Sequence, residues 1–456
     1  MDLLRTLTTS EQGFSIATVV DTENPRLKIS IISTNRERFP QVSIPIGPAC
    51  IAAALREQGH KVEILDLCFE PKVEEAVIAH LKRFAPELVG ISLRNTENNE
   101  LFHCRSYLAD TKSIVETFKK QSQAEIVIGG AAFALFPEEL MRCLELPYGI
   151  AGDGERAFPL FVQYLQGEGD LNSIPGICYW DTKRVAVNPA AKIRDFAALP
   201  FPAYDLLDLQ RYLAEVPALP IEGRRGCDLA CSFCPDGADE EGCRLRAPKL
   251  VVDEIEFMAK EHDIRRFFFT DGVFNFPPDH ALAICRELRE RKLDIRWGAD
   301  INPVAVSKEL VAAMKEAGCR NLALGIDTAS EKMLRSYRKG FQKEDIIKAV
   351  KLLTEAEIPF ACWILFGGPG ENMDTVQETI DFLQEVPQPV FFRAGIRIFK
   401  GTELERQARE EGLLQENHDM LSPTFYLSKE LGEDFMEWLD RQCEPHENWF
   451  TITKMA

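Results

Sequence analysis

The 456-residue sequence has no apolar run near the roughly 20 residues that a membrane-spanning helix needs. Its amino end carries acids early (Asp2, Glu11) and has no apolar stretch of the signal-peptide kind. Basic residues are in the minority, with 53 Lys and Arg against 72 Asp and Glu and a formal net charge of −19. Nucleic-acid binders usually carry a basic stripe, and none is present. Residues 413–456 hold nine acids against three basic residues, the reverse of a nucleic-acid-binding tail. Disulfide arithmetic also fails: the 13 cysteines are odd in number and ten are scattered singly. That pattern suits a reducing cytoplasm. A membrane protein, a disulfide-stapled secreted domain and a nucleic-acid binder are thereby set aside, and a small-molecule substrate is expected. The length is enough for two or three domains at about 150 residues each.

The three remaining cysteines stand together in Arg225-Gly226-Cys227-Asp228-Leu229-Ala230-Cys231-Ser232-Phe233-Cys234-Pro235. Three thiolates on one short loop can hold three irons of a 4Fe–4S cluster and leave the fourth iron without a protein ligand. An open iron can bind a small molecule and deliver an electron to it. A zinc site is the competing reading. It would need a fourth ligand, and the nearby candidate is Cys243, in a charged stretch.

Around this loop the chain alternates strand and helix. Short β-rich runs fall at 27–33, 61–67, 88–93, 125–129 and, more weakly, 148–151, with helical patterns between them. Such alternation predicts a parallel sheet wrapped on both faces, with ligands beyond the carboxyl ends of its strands. Asn95 and Thr96, Gly129 and Gly130, and Gly154 fall at those ends. A second series begins near residue 216. Strands are expected at 220–225, 266–270, 295–299, 321–326, 360–367 and 391–399. The expected organisation is an N-terminal extension (1–26), a Rossmann-like domain (27–170), a linker with a small hairpin (171–215), a partial (β/α)6 barrel (216–412) and a small helical tail (413–456).

The cysteine loop on the first strand of a six-unit series resembles the signature of the radical S-adenosylmethionine (SAM) enzymes. The stretches Ile44-Pro45-Ile46-Gly47-Pro48, Gly59–Asp66, Val127–Gly130 and Gly152–Glu155 resemble the cobalamin-binding domain that precedes many of them. The likeness covers roughly residues 27–410. It implies that Cys227, Cys231 and Cys234 bind the cluster, and that SAM is contacted by Phe233, Asp271, Asp327, Gly367, Gly368 and Arg397. It also implies cobalamin against Asn95, Thr96, Gly129, Gly130 and Gly154. Departures are visible. Asp327 stands where the family usually has Glu. No His has Asp two positions before it, so the histidine motif for cobalt is missing. Asp271 can equally serve a turn, Glu371 can cap the next helix, and Arg397 is expected at the barrel mouth, since a core position would demand a buried partner.

The resemblance implies a 5′-deoxyadenosyl radical drawn from SAM, an external electron donor such as flavodoxin or ferredoxin, and methyl transfer from methylcobalamin to an unactivated carbon of a small or lipid-like metabolite. Two other readings stay open: cyclisation or rearrangement by the same radical, and a non-catalytic cobalamin or redox sensor. A first domain that has lost cobalamin and acts as scaffold is also open.

Overall fold

The computed structural model describes residues 26–39, 41–216, 218–238 and 242–451. The expected N-terminal extension lies almost wholly outside them.

Two seven-stranded sheets organise the chain. The first contains five parallel strands, Lys28–Ser33, Lys61–Asp66, Leu88–Ser92, Glu125–Gly129 and Tyr148–Ile150. Lys28–Ser33 lies between Lys61–Asp66 and Leu88–Ser92. Strand order therefore reverses beside it, which opens a crevice at the carboxyl ends of Lys28–Ser33 and Leu88–Ser92. Helices such as Ile46–Glu57 and Val73–Phe84 cover the faces. Both faces are buried, so the strands read as near-continuous apolar runs, as in Ile29, Ile31 and Ile32. The hairpin expected within the linker, Ile177–Asp181 and Arg184–Val187, extends this sheet antiparallel to Tyr148–Ile150.

The second sheet runs Leu219–Ile221, Arg266–Phe269, Arg296–Ile301, Cys319–Asp327, Phe360–Phe366 and Val390–Ala394, all parallel. The C-terminal segment does more than form a helix. Phe435–Cys443 is helical, and Trp449–Thr451 then pairs with Val390–Ala394 as a seventh strand. Alternating Trp, Phe and Thr let that short strand bury one face while stacking Phe450 on Phe391.

The two units share cores. Val42, Ile44 and Ala49 pack into the barrel core, while Met333, Tyr337, Ile396 and Ile398 pack into the core of the first sheet. Charged clamps flank this apolar contact. On one side Arg225 reaches Glu155 (2.5 Å) and Asp153 (3.2 Å), and Arg244 also pairs with Asp153. On the other, Arg393 meets Glu100 (2.5 Å) and Arg397 meets Glu97 (2.9 Å). The carboxyl edges of the two sheets consequently face one another.

Candidate functional site

The cysteine loop leaves the short strand Arg224–Arg225, which is pinned by antiparallel pairing with Arg244–Leu245. Its middle is fastened from behind: Ser232 N donates to Tyr337 O (2.9 Å) and Ser232 Oγ to Ser336 O (3.1 Å). All three thiols are partly buried. Burial raises the Cys231 thiol and pushes the Cys234 thiol up to about 11. Their ligand form, the thiolate, therefore needs a cation to draw off the proton, which bound iron supplies. Among the described residues no three His, Cys, Asp or Glu side chains converge on a point that would hold one metal ion. A tetrahedral zinc needs such convergence, whereas a cluster takes one thiolate per iron. Cys243, the candidate fourth zinc ligand, is occupied by Arg224, whose Nη1 donates to its Sγ (3.5 Å). A set of three thiols on one loop, with Cys243 engaged by Arg224, fits a cluster.

Asp271, after the second barrel strand, is not a cap of its own turn. Its Oδ1 accepts from Gly223 N (2.7 Å) and Arg224 N (3.1 Å), the backbone that leads into the cysteine loop. Burial pushes its carboxyl up to about 7 although those N–H groups pull the other way. Its Oδ2 is buried without a hydrogen-bond partner. The Arg224 guanidinium stands 4.0 Å from that oxygen, so its charge is met although the contact is too long for a hydrogen bond.

The glycine-rich turn after Phe360–Phe366 is organised by Glu371. Its Oε2 accepts from Gly367 N, from Gly368 N (3.1 Å) and from the Tyr337 hydroxyl (3.2 Å). Burial pushes Glu371 up to about 7. It serves its own turn more than the helix that follows. Gly367 has φ of +108°, and a Cβ on Gly368 would stand 2.0 Å from the Tyr337 ring. The glycines are thus required first by Tyr337, whose ring also meets Phe233 edge-on (5.4 Å). Phe233 and the turn are brought together through a tyrosine that sequence reading did not single out.

Asp327 is likewise turned toward a residue missed in the sequence. It pairs with Lys339 (2.5 Å), whose side chain is 7% exposed and lies against Cys231. Burial works against the ammonium, but Asp327 and Cys231 outweigh it and raise its pKa. Arg-Lys-Gly at 338–340, ahead of the helix Lys343–Glu355, was the available signal.

Arg397 corrects an expectation. It does not face the barrel mouth. Its side chain is 1% exposed and donates to Glu97, Ile398 O (2.7 Å), Thr424 O (3.3 Å) and Met420 O (2.8 Å). The buried partner that a core position demands is Glu97, from the other sheet.

Between the sheets lies a cavity of about 280 Å³. Gly129, Gly130 and Gly154 line it, with Gly47, Gly90 and Gly152 also at its wall. Barrel residues Glu222, Arg225 and Thr270 close one end. Asn95 and Thr96 are elsewhere. Asn95 lines a small polar pocket with Arg36, Arg94 and Tyr107, and Thr96 is buried on Glu97. The lining is mostly aliphatic and contains no histidine. This aliphatic, glycine-rich wall suits part of a large, mostly apolar cofactor. Cobalt would find no histidine ligand in this lining.

Comparison with known proteins agrees with this division. Residues 32–162 match the B12 binding domain and residues 221–383 the radical SAM superfamily. An uncharacterised methyltransferase of Pyrococcus horikoshii is 28% identical over 348 residues, 75% of this chain and 73% of the relative. An anaerobic magnesium-protoporphyrin IX monomethyl ester cyclase of Rubrivivax gelatinosus is 28% identical over 268 residues, 56% of this chain and 47% of the relative. Among solved structures, the radical SAM methyltransferase TsrM from Kitasatospora setae, with cobalamin and a [4Fe-4S] cluster bound, superposes with a TM-score of 0.83. It is 21% identical and covers 93% of both chains.

Proposed function

Because this chain joins a B12 binding domain to a radical SAM domain, we propose that it is a cobalamin-dependent methyltransferase that acts on an unactivated carbon of a small or lipid-like metabolite. The observation that carries the reading is the place of Arg225. Its side chain lines the inter-sheet cavity and clamps Asp153 and Glu155, while its backbone reaches Cys227 two residues later. The candidate cobalamin crevice and the candidate cluster loop are therefore one site approached from two sides.

When bound, the cluster with SAM supplies a hydrogen-abstracting radical and cobalamin supplies a methyl carrier. The chain's own residues hold and orient. Cys227, Cys231 and Cys234 ligate the cluster. Asp271 fixes the strand exit that presents them, accepting from Gly223 N and Arg224 N while its Oδ2 faces the Arg224 guanidinium at 4.0 Å. Glu371 and Tyr337 hold the backbone of the glycine-rich turn in one conformation. Gly47 leaves the crevice open, whereas Gly129 and Gly154 let the backbone pack closely on Ile150 and Ile51 in its wall. The apolar contact and ion pairs between the sheets hold the two halves of the site together. An acidic surface favours a small substrate over nucleic acid. The electron comes from an external carrier such as flavodoxin or ferredoxin, in a reducing cytoplasm.

Reduced, cofactor-loaded protein incubated anaerobically with SAM tests the assignment. S-adenosylhomocysteine should form only when cobalamin is loaded, and 5′-deoxyadenosine only when the cluster is. With a deuterated substrate the two products should form in equal amounts, and deuterium should enter the deoxyadenosine. Deoxyadenosine without any S-adenosylhomocysteine would reject methylation and favour ring closure, the chemistry named for the Rubrivivax relative.

A further inference from the structure

Resting on the reading of Cys227, Cys231 and Cys234 as cluster ligands, we propose that the Lys339–Asp327 ion pair sets the reduction potential of the cluster, Lys339 raising it and Asp327 lowering it. Neither residue is a ligand. They act through charge on the Cys231 side of the loop.

The geometry shields most of the pair from solvent. The Lys339 side chain is 7% exposed and that of Asp327 17%. The ammonium lies 5.9 Å from the Phe233 ring centroid and 5.5 Å from that of Phe341. Phe233 sits between two of the ligand cysteines, so these contacts hold the charge against the loop. Water and salt screen such a buried charge weakly. Asp327 ends its strand with φ of +58°, a left-handed conformation uncommon outside glycine but more accessible to Asp. That turn goes with a carboxylate directed at Lys339. The segment carrying Lys339 cannot drift from the loop, because Ser336 O and Tyr337 O hold Ser232.

Cluster potentials follow net charge and hydrogen bonds at the sulfurs. A cation beside Cys231 makes an added electron easier to hold, and an anion makes it harder. Together the two charges nearly cancel. Removing either exposes the other, so the two single substitutions must act with opposite sign. A pair that only braces the fold has no reason to do so.

The test is a reductive titration of the reconstituted full chain without SAM, using titanium(III) citrate and the paramagnetic signal of the reduced cluster. Lys339→Met should move the midpoint to a more negative value and Asp327→Asn to a less negative one. The double substitution should return toward wild type, and Lys339→Arg should stay there. Shifts of the same sign, or no shift in either single variant, would overturn the proposal. So would loss of iron from Lys339→Met, since a charge that only poises the cluster is dispensable for holding it. A wild-type chain that takes up no cluster sinks the parent assignment and this one together. A loaded wild type with unmoved variants sinks this one alone.

Discussion

The two strand edges that face each other across the interface are built from opposite materials. On the first sheet the edge is mostly cleared: glycines and aliphatic side chains make up most of the wall of a cavity of about 280 Å³, charge there is confined to the end where Asp153 and Glu155 pair with Arg225, and a Cβ on Gly47 would meet nothing within 4 Å. On the barrel the edge carries more charge: Asp271 and Glu371 are buried, and the Lys339–Asp327 pair is partly buried beside them. A cleared edge selects by shape and tolerates small changes of sequence. A charged, desolvated edge selects by electrostatics, and each group there has to be met by a partner. The division matches a large, mostly neutral ring on one side and a small zwitterion with a charged cluster on the other.

The largest break should come at the barrel edge. Replacing Cys227, Cys231 and Cys234 together by Ala should abolish iron binding and SAM cleavage while cobalamin uptake by the first domain persists. Iron assay beside the visible spectrum of the corrinoid separates the two edges. Next in size is the clamp between them. Arg397→Met leaves Glu97 buried without its cation, and removing one partner of a buried pair costs about 3–5 kcal/mol. Chemical denaturation should register that loss. Adding Glu97→Gln should recover part of it, because the uncompensated charge is gone.

The cleared edge can be blocked without disturbing the charged one. Gly47 lies in the helix Ile46–Glu57 and faces open space, so Gly47→Trp should fill the crevice, not strain it. Cobalamin affinity should fall at least about tenfold, on the order of 1.4 kcal/mol, with iron content unchanged. Gly130 is the poorer choice. Its φ is +102° and a Cβ there would stand 2.5 Å from Leu93 O, so a bulky residue would damage the loop itself.

The smallest effect is on pH. Asp271 and Glu371 are each held near 7 in the fold, above their unfolded values, mainly by burial. Between the unfolded and folded values these two groups hold more protons in the native apoprotein than in the unfolded chain, so their contribution to stability falls as pH rises from about 4 to 7. Each group can add at most about 1.4 kcal/mol per pH unit to that slope. Asp271→Asn and Glu371→Gln should each flatten it in denaturation midpoints measured across that range.

What could be read in the sequence follows from locality. Strands such as Glu125–Gly129 fall where the pattern placed them, and helices such as Val73–Phe84 and Pro137–Leu144 occupy the intervals between them, because burial periodicity is a local signal. The cysteine loop was visible for the same reason. Partnerships over long sequence separations were not. Glu97 and Arg397 are 300 residues apart, and nothing in either neighbourhood announces the other. Tyr337 and Lys339 serve the site from a helix end whose own sequence reads as an ordinary basic surface. Trp449–Thr451 looked like part of an acidic helical tail because a three-residue strand has too little pattern to register. Asn95 and Thr96 sit at a strand end as expected, yet their loop folds toward Glu97 and away from the cavity.

The central claim is that one interface holds both cofactors. The direct measurement is metal content of the full chain, reconstituted anaerobically with iron and sulfide, offered cobalamin, and passed over a sizing column. About four irons and about one cobalt per chain are expected to co-elute with the protein. A colourless, cobalt-free peak, or about eight irons, would contradict it.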